Sequence, residues 1–138
     1  MQSLKEILPE IMQAVDNYQQ FKHLYSKEEV QEHRDSFSHL SLILADSLGD
    51  SFEKLNKIEF ERKTKEREYW LSLKKDSSVK MTDKERDLES YIHVKDLLEK
   101  ETEFTSECKR GSLVLNELQH TIHSIGSRLK TLTEEKTA

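Results

Sequence analysis

Along the last third of the chain one side recurs at alternating steps of three and four: Val94, Leu97, Glu101, Phe104, Cys108, Gly111, Leu115, Leu118, Ile122, Ile125, Leu129 and Leu132. More than five heptads of this kind define a helix whose narrow seam needs a partner. Glu101 is the seam's one charged member, and Gly111 would let a facing helix come close. The first segment repeats the pattern with Leu4, Ile7, Ile11, Ala14, Tyr18, Phe21 and Tyr25. Between them, Val30, His33, Phe37, Leu40, Leu44, Leu48, Phe52, Leu55 and Ile58 form a third stripe. Its spacing slips to fours around Leu44–Phe52, beside Gly49, where a local unwinding or kink is expected. Past Ile58 the stripe meets Arg62 and Lys65 before Tyr69 and Leu73 resume it.

Three hydroxyl-x-x-carboxylate patterns mark helix starts: Ser3 with Glu6, Ser26 with Glu29, and Thr82 with Glu85. Pro9 falls a turn into the first segment and implies either a late start or a bend there. Asp76-Ser77-Ser78 reads as a turn joining two antiparallel segments. The spacing therefore predicts an all-α chain with helices over about 3–25, 27–75 and 82–133. The expected arrangement is one domain, a long antiparallel coiled-coil-like hairpin with a shorter N-terminal helix. A hairpin that long leaves seam uncovered, so an oligomer is expected.

Composition sharpens this picture. Of 138 residues 36% are charged and 34% hydrophobic, with 3 glycines and 1 proline, which is too polar for a thick core and poor in tight turns. No apolar run approaches the roughly 20 residues of a membrane span, and the first residues lack the pattern of an export signal. The single cysteine, Cys108, reads as a small core residue, and a reduced, cytoplasmic setting is expected.

Charge is uneven. Residues 1–53 carry 4 Lys/Arg against 10 Asp/Glu, whereas residues 54–75 carry 8 against 4, a basic island in a chain of net charge −5. Because screening acts over about 8–10 Å, a phosphate chain can respond to the island alone. Lys63, Lys65, Arg67, Lys74 and Lys75 offer phosphate-pairing charge there, and Tyr69 and Trp70 offer flat faces for unstacked bases. The bland alternative is that Tyr69, Leu73 and Trp70 pack while Glu59, Glu61, Glu66 and Glu68 pair the cations as a solvated face.

Catalytic and metal chemistry find little here. There is no Gly-rich phosphate loop, GxSxG, HExxH or paired-Cys motif, so no enzyme activity and no cofactor is expected. Glu117-x-x-His120, with His123 beyond, has metal-binding spacing, but Leu115 and Leu118 take the seam and turn Glu117 and His120 away from it.

The segments EREYWLSLK (66–74) and TDKERDLESYIHVKDLL (82–98), within about residues 60–130, resemble the UvsY-like recombination mediators of T4-type phages. The resemblance implies single-stranded DNA binding, a ring-like homo-oligomer, and the loading of a RecA-type recombinase onto strands covered by single-strand-binding protein. It implies a strand-binding set of Lys63, Lys65, Arg67, Tyr69, Trp70, Lys74 and Lys75. Arg62, with Lys65 at the seam break, would add charge to a basic lumen. Two other readings stand beside it: a structural coiled-coil adaptor or assembly subunit, and a protein inhibitor using the acidic residues 1–53.

Overall fold

In a computed structural model that describes residues 3–78 and 80–137, every regular element is helical. The helices are α1 (Leu4–Phe21), α2 (Lys27–Lys75), α3 (Asp83–His93) and α4 (Lys95–Thr137), with a 3-10 turn at Lys22–Leu24. No helix among the described residues is long and apolar enough to cross a membrane.

The three starts are closed as their sequences require. Glu6 N donates to Ser3 Oγ at 3.4 Å and Ser3 N to Glu6 Oε2 at 3.3 Å; Ser26 and Glu29 repeat the exchange at 3.2 Å in both directions. At Thr82 the hydroxyl accepts from Glu85 N and itself donates to the Glu85 carboxylate, both at 3.2 Å. The Ser3 and Ser26 boxes each satisfy two amides at the helix start, and Thr82 satisfies one, that of Glu85.

Pro9 lies inside α1 on its exposed side, where the loss of its N–H costs least. α1 then ends at Phe21 rather than near residue 25. Tyr25 adopts an extended backbone (φ −81°, ψ 139°), which brings its ring to 4.5 Å from His33 and 6.0 Å from Tyr18. Ring packing at this corner outweighs one more turn of helix.

The predicted third helix is interrupted by a single residue. Val94 leaves the α region (φ −106°, ψ 13°), and its N–H is shared between the Ser90 and Tyr91 carbonyls at 3.3 and 3.2 Å. α4 begins at the next residue and runs to Thr137. All twelve seam positions from Val94 to Leu132 are nevertheless buried or half-buried.

The chain forms two compact units, Met1–Asp50 with Glu107–Ala138, and Ser51–Ser106. In the first, α1, the start of α2 and most of α4 enclose Ile11, Tyr18, Phe37, Leu44, Leu118 and Ile125, all fully buried. Gly111 gives this core its close approach: a Cβ there would stand 2.8 Å from Leu48 Cδ1 and 3.2 Å from Leu4 Cδ2. Cys108 is buried beside it in sequence, and burial pushes its thiol up, with Glu107 adding to the shift, so it stays protonated and unreactive at neutral pH.

The second unit has a thinner core. Val94 is its one fully enclosed apolar side chain among the described residues, supported by half-buried Leu55, Ile58, Tyr69, Leu73, Leu97 and Phe104. Arg62 meets Glu101 and Tyr69 meets His93, so within this unit the end of α2 runs antiparallel to the segment that follows the turn. Asp76 Oδ1 holds that turn by accepting from Ser78 N (3.0 Å) and Ser78 Oγ (2.6 Å), contacts that lower the Asp76 carboxyl below its ordinary value.

One stripe position differs from expectation. Phe52 is 42% exposed while Ser51 is buried, because two steps of four from Leu44 carry residue 52 about 80° around a 3.6-residue helix and residue 51 falls back into line. α2 runs through Gly49 without interruption. Gly49 is exposed with nothing within 4 Å of a built Cβ, so Gly49→Ala is expected to stabilise by about 0.5–1 kcal/mol through helix propensity. Gly111→Ala, which must displace Leu48, is expected to gain nothing. Urea unfolding of both variants checks the contrast.

Candidate nucleic-acid interface

The basic island occupies the last six turns of α2, where charges spaced by four residues meet along the helix surface. Lys63 Nζ binds Glu59 Oε1 at 2.7 Å and Lys65 Nζ binds Glu61 Oε1 at 2.8 Å. Arg62 is turned inward instead. Its guanidinium forks onto the Glu101 carboxylate through Nε and Nη2 and reaches Glu66 through Nη1 at 3.2 Å. The Glu101 hydrogen bond, opposed by burial and reinforced by both carboxylates' charge, pushes Arg62 above the ordinary arginine value.

The two charges that broke their seams therefore pair with each other. This corrects the expectation that Arg62 and Lys65 share one inward basic face: Arg62 faces α4 and Lys65 faces solvent beside Glu61.

The aromatic pair is also engaged inside the unit. Tyr69 stacks on His93 with ring centroids 3.9 Å apart and planes 6° from parallel. Trp70 is half-buried between cations, with Lys74 Nζ 5.4 Å and Arg86 Cζ 5.7 Å from its ring centroid, and its Nε1 is buried without a partner among the described residues. Arg86 in turn pairs with Asp83. Neither ring presents two free faces.

A different line on α2 is open. At 100° per residue, Phe60, Thr64, Arg67, Leu71, Lys74 and Lys75 fall within about 60° of one direction, opposite the seam residues Ile58, Arg62 and Tyr69. Phe60 is 74% exposed and Leu71 39%. Arg67, Lys74 and Lys75 are exposed and form no ion pair among the described residues. Between residues 53 and 75 the only carboxylate inside this sector is Glu53, which is bound by Lys57 at 3.2 Å, and Glu68 stands at its edge.

Thus of the eight residues expected at the site, Arg67, Lys74 and Lys75 are exposed on this side of α2, with Lys63 at its margin; Lys74 also lies over the Trp70 ring, and Arg67 and Lys63 share a pocket with Glu66, Trp70 and Asp87. Arg62, Tyr69 and Trp70 serve the interior, and Lys65 lies on another side of the helix. Phe60 was not singled out from the sequence. The available signal was its seven-residue spacing to Arg67 and again to Lys74, a second heptad line that carries charge rather than apolar residues.

The lysine–glutamate pairs leave both lysines usable. Exposed pairs of this kind contribute little, roughly 0–1 kcal/mol, and a phosphate can displace the carboxylate. Hydrogen bonds from Lys63 and Lys65 lower the Glu59 and Glu61 carboxyls below 4.5. A lowered folded-state value means that the associated stability is present above pH 4.5 and lost as pH falls through the lowered value. Thermal unfolding of Glu59→Gln/Glu61→Gln is therefore expected to change less between pH 5 and about pH 3 than that of the parent chain.

Glu117, His120 and His123 are exposed, and the described residues contain no cluster of three His, Cys, Asp or Glu side chains placed to hold an ion. No protein-family model, curated protein or solved structure matches the chain.

Proposed function

We propose that this chain is a non-enzymatic single-stranded-DNA-binding accessory protein of recombination, which uses the outward face of the second half of α2 to hold the strand. The observation that carries the reading is the line Phe60, Arg67, Leu71, Lys74 and Lys75: one exposed ring and three cations that form no ion pair among the described residues, in a chain of net charge −5. Phosphates pair with the cations and an unstacked base rests on Phe60, a combination that binds strands without reading their sequence. Handing the strand to a RecA-type recombinase in place of single-strand-binding protein follows from the resemblance of residues 66–98 to UvsY-like mediators; action in the cytoplasm follows from the lone Cys108, and a cofactor-free role from the motif content.

The same reading takes the chain as one long antiparallel hairpin that works as a homo-oligomer. Leu88, Tyr91 and Ile92, all exposed at i, i+3 and i+4 on α3, supply an apolar face for a second copy. They equally favour the second reading, a helical assembly subunit that binds no nucleic acid. The inhibitor reading has no comparable surface feature in its favour.

Anisotropy of a labelled single-stranded oligonucleotide, titrated at several salt concentrations, separates these readings. Saturable binding whose logarithm falls linearly with the logarithm of salt supports the strand-binding protein, with a slope of about −0.7 per phosphate neutralised. Absence of binding at low salt leaves the assembly subunit.

A further inference from the structure

The acidic half of the chain holds a groove with the opposite character. In the unit formed by residues 1–50 and 107–138, Arg34 of α2 and Gln119, Ile122, His123, Gly126, Ser127 and Lys130 of α4 line one cleft of about 420 Å³. The α4 residues follow steps of three, one, three, one and three, so they share one face of that helix.

Among the described residues, every polar side chain lining this cleft can donate a hydrogen bond, two carry positive charge, and none is a carboxylate. Arg34 and Lys130 form no ion pair among the described residues. A Cβ placed on Gly126 would meet nothing within 4 Å, so the cleft is open beside it. That contrasts with the second half of α2, where lysines at four-residue spacing are covered by glutamates.

From this juxtaposition we infer that the Arg34–His123–Lys130 cleft is a phosphate-binding site, separate from the α2 stripe and not dependent on it. Arg34 supplies a planar fork and Lys130 a mobile point charge, the two cation geometries that phosphate oxygens accept. Gln119 and Ser127 offer neutral donors to the remaining oxygens. The phosphate belongs either to a nucleic-acid backbone or to a free phosphate or nucleotide.

The test follows the His123 ring by proton NMR while inorganic phosphate, and then pyrophosphate, is added at constant ionic strength. The His123 resonance is assigned by its loss in His123→Gln. A saturable shift absent with chloride, and weakened about tenfold or more in Arg34→Gln/Lys130→Gln, establishes the site. Both side chains are exposed, so the double variant should keep its helix content and melting temperature. Gly126→Leu, which fills the cleft without lowering helix propensity, should weaken binding as well.

A shift equal to that with chloride, or one that survives in both variants, overturns the inference. Displacement of pyrophosphate by an unlabelled single-stranded oligonucleotide assigns the site to a nucleic-acid phosphate, and its failure assigns it to a free phosphate. Strand binding by a chain altered only at Arg67, Lys74 and Lys75 tests the α2 reading separately, so the two can fail independently.

Discussion

Arg67→Glu/Lys74→Glu/Lys75→Glu is expected to lose strand affinity by roughly 100-fold or more at moderate salt and to flatten the salt slope by about 2, three phosphates at about 0.7 each. The side chains are exposed and form no ion pair among the described residues, and Arg86 still covers the Trp70 ring when Lys74 is replaced, so helix content should hold while binding disappears. Phe60→Ala should weaken binding by about 1–3 kcal/mol, the worth of one base stack, and leave the salt slope unchanged. Tyr69→Phe keeps the ring that stacks on His93 and should leave strand affinity alone. If the triple variant binds as the parent does, the stripe is not the interface. If Tyr69→Phe or Trp70→Phe is the damaging change, the interior rings are.

The second large effect lies at Arg62. Its side chain is 16% exposed and that of Glu101 is 17%, so removing either partner strands a charge away from most of its water. Arg62→Met is expected to cost the second unit about 3 kcal/mol, because the Glu101 carboxylate is left without its fork. Arg62→Met/Glu101→Leu should recover most of that loss or exceed the parent, since two apolar side chains remove the desolvation cost as well as the attraction. Trp70 is the chain's only tryptophan and lies in this unit, so its emission during urea unfolding follows the relevant transition. Equal losses in the single and double variants would mean that the pair acts through packing alone.

Much of the fold was legible because its signals are local or strictly periodic. Ser3, Ser26 and Thr82 announce their helices within one turn, and the seam from Val94 to Leu132 obeys a single repeat. The break at Val94 was not legible, since its apolar side chain keeps its place on the seam while its backbone leaves the helix. Nor was the early end of α1, which depends on Tyr25 reaching rings on α2. The site was half legible. Net charge located the island, but counting cations does not say which are already held by neighbours four residues away, and that distinction separates Lys63 and Lys65 from Arg67, Lys74 and Lys75.

The Arg62–Glu101 pair has a further consequence for how the chain finds its alignment. Heptad seams are nearly self-similar, and sliding one by seven residues still sets apolar groups against apolar groups. Here such a slide would place Arg62 opposite Val94 in one direction or Cys108 in the other, stranding a guanidinium among hydrocarbon and thiol. In a unit with so thin a core, one polar contact of this kind works as a registration mark: it adds little to the depth of the correct alignment and much to the cost of its nearest misalignments.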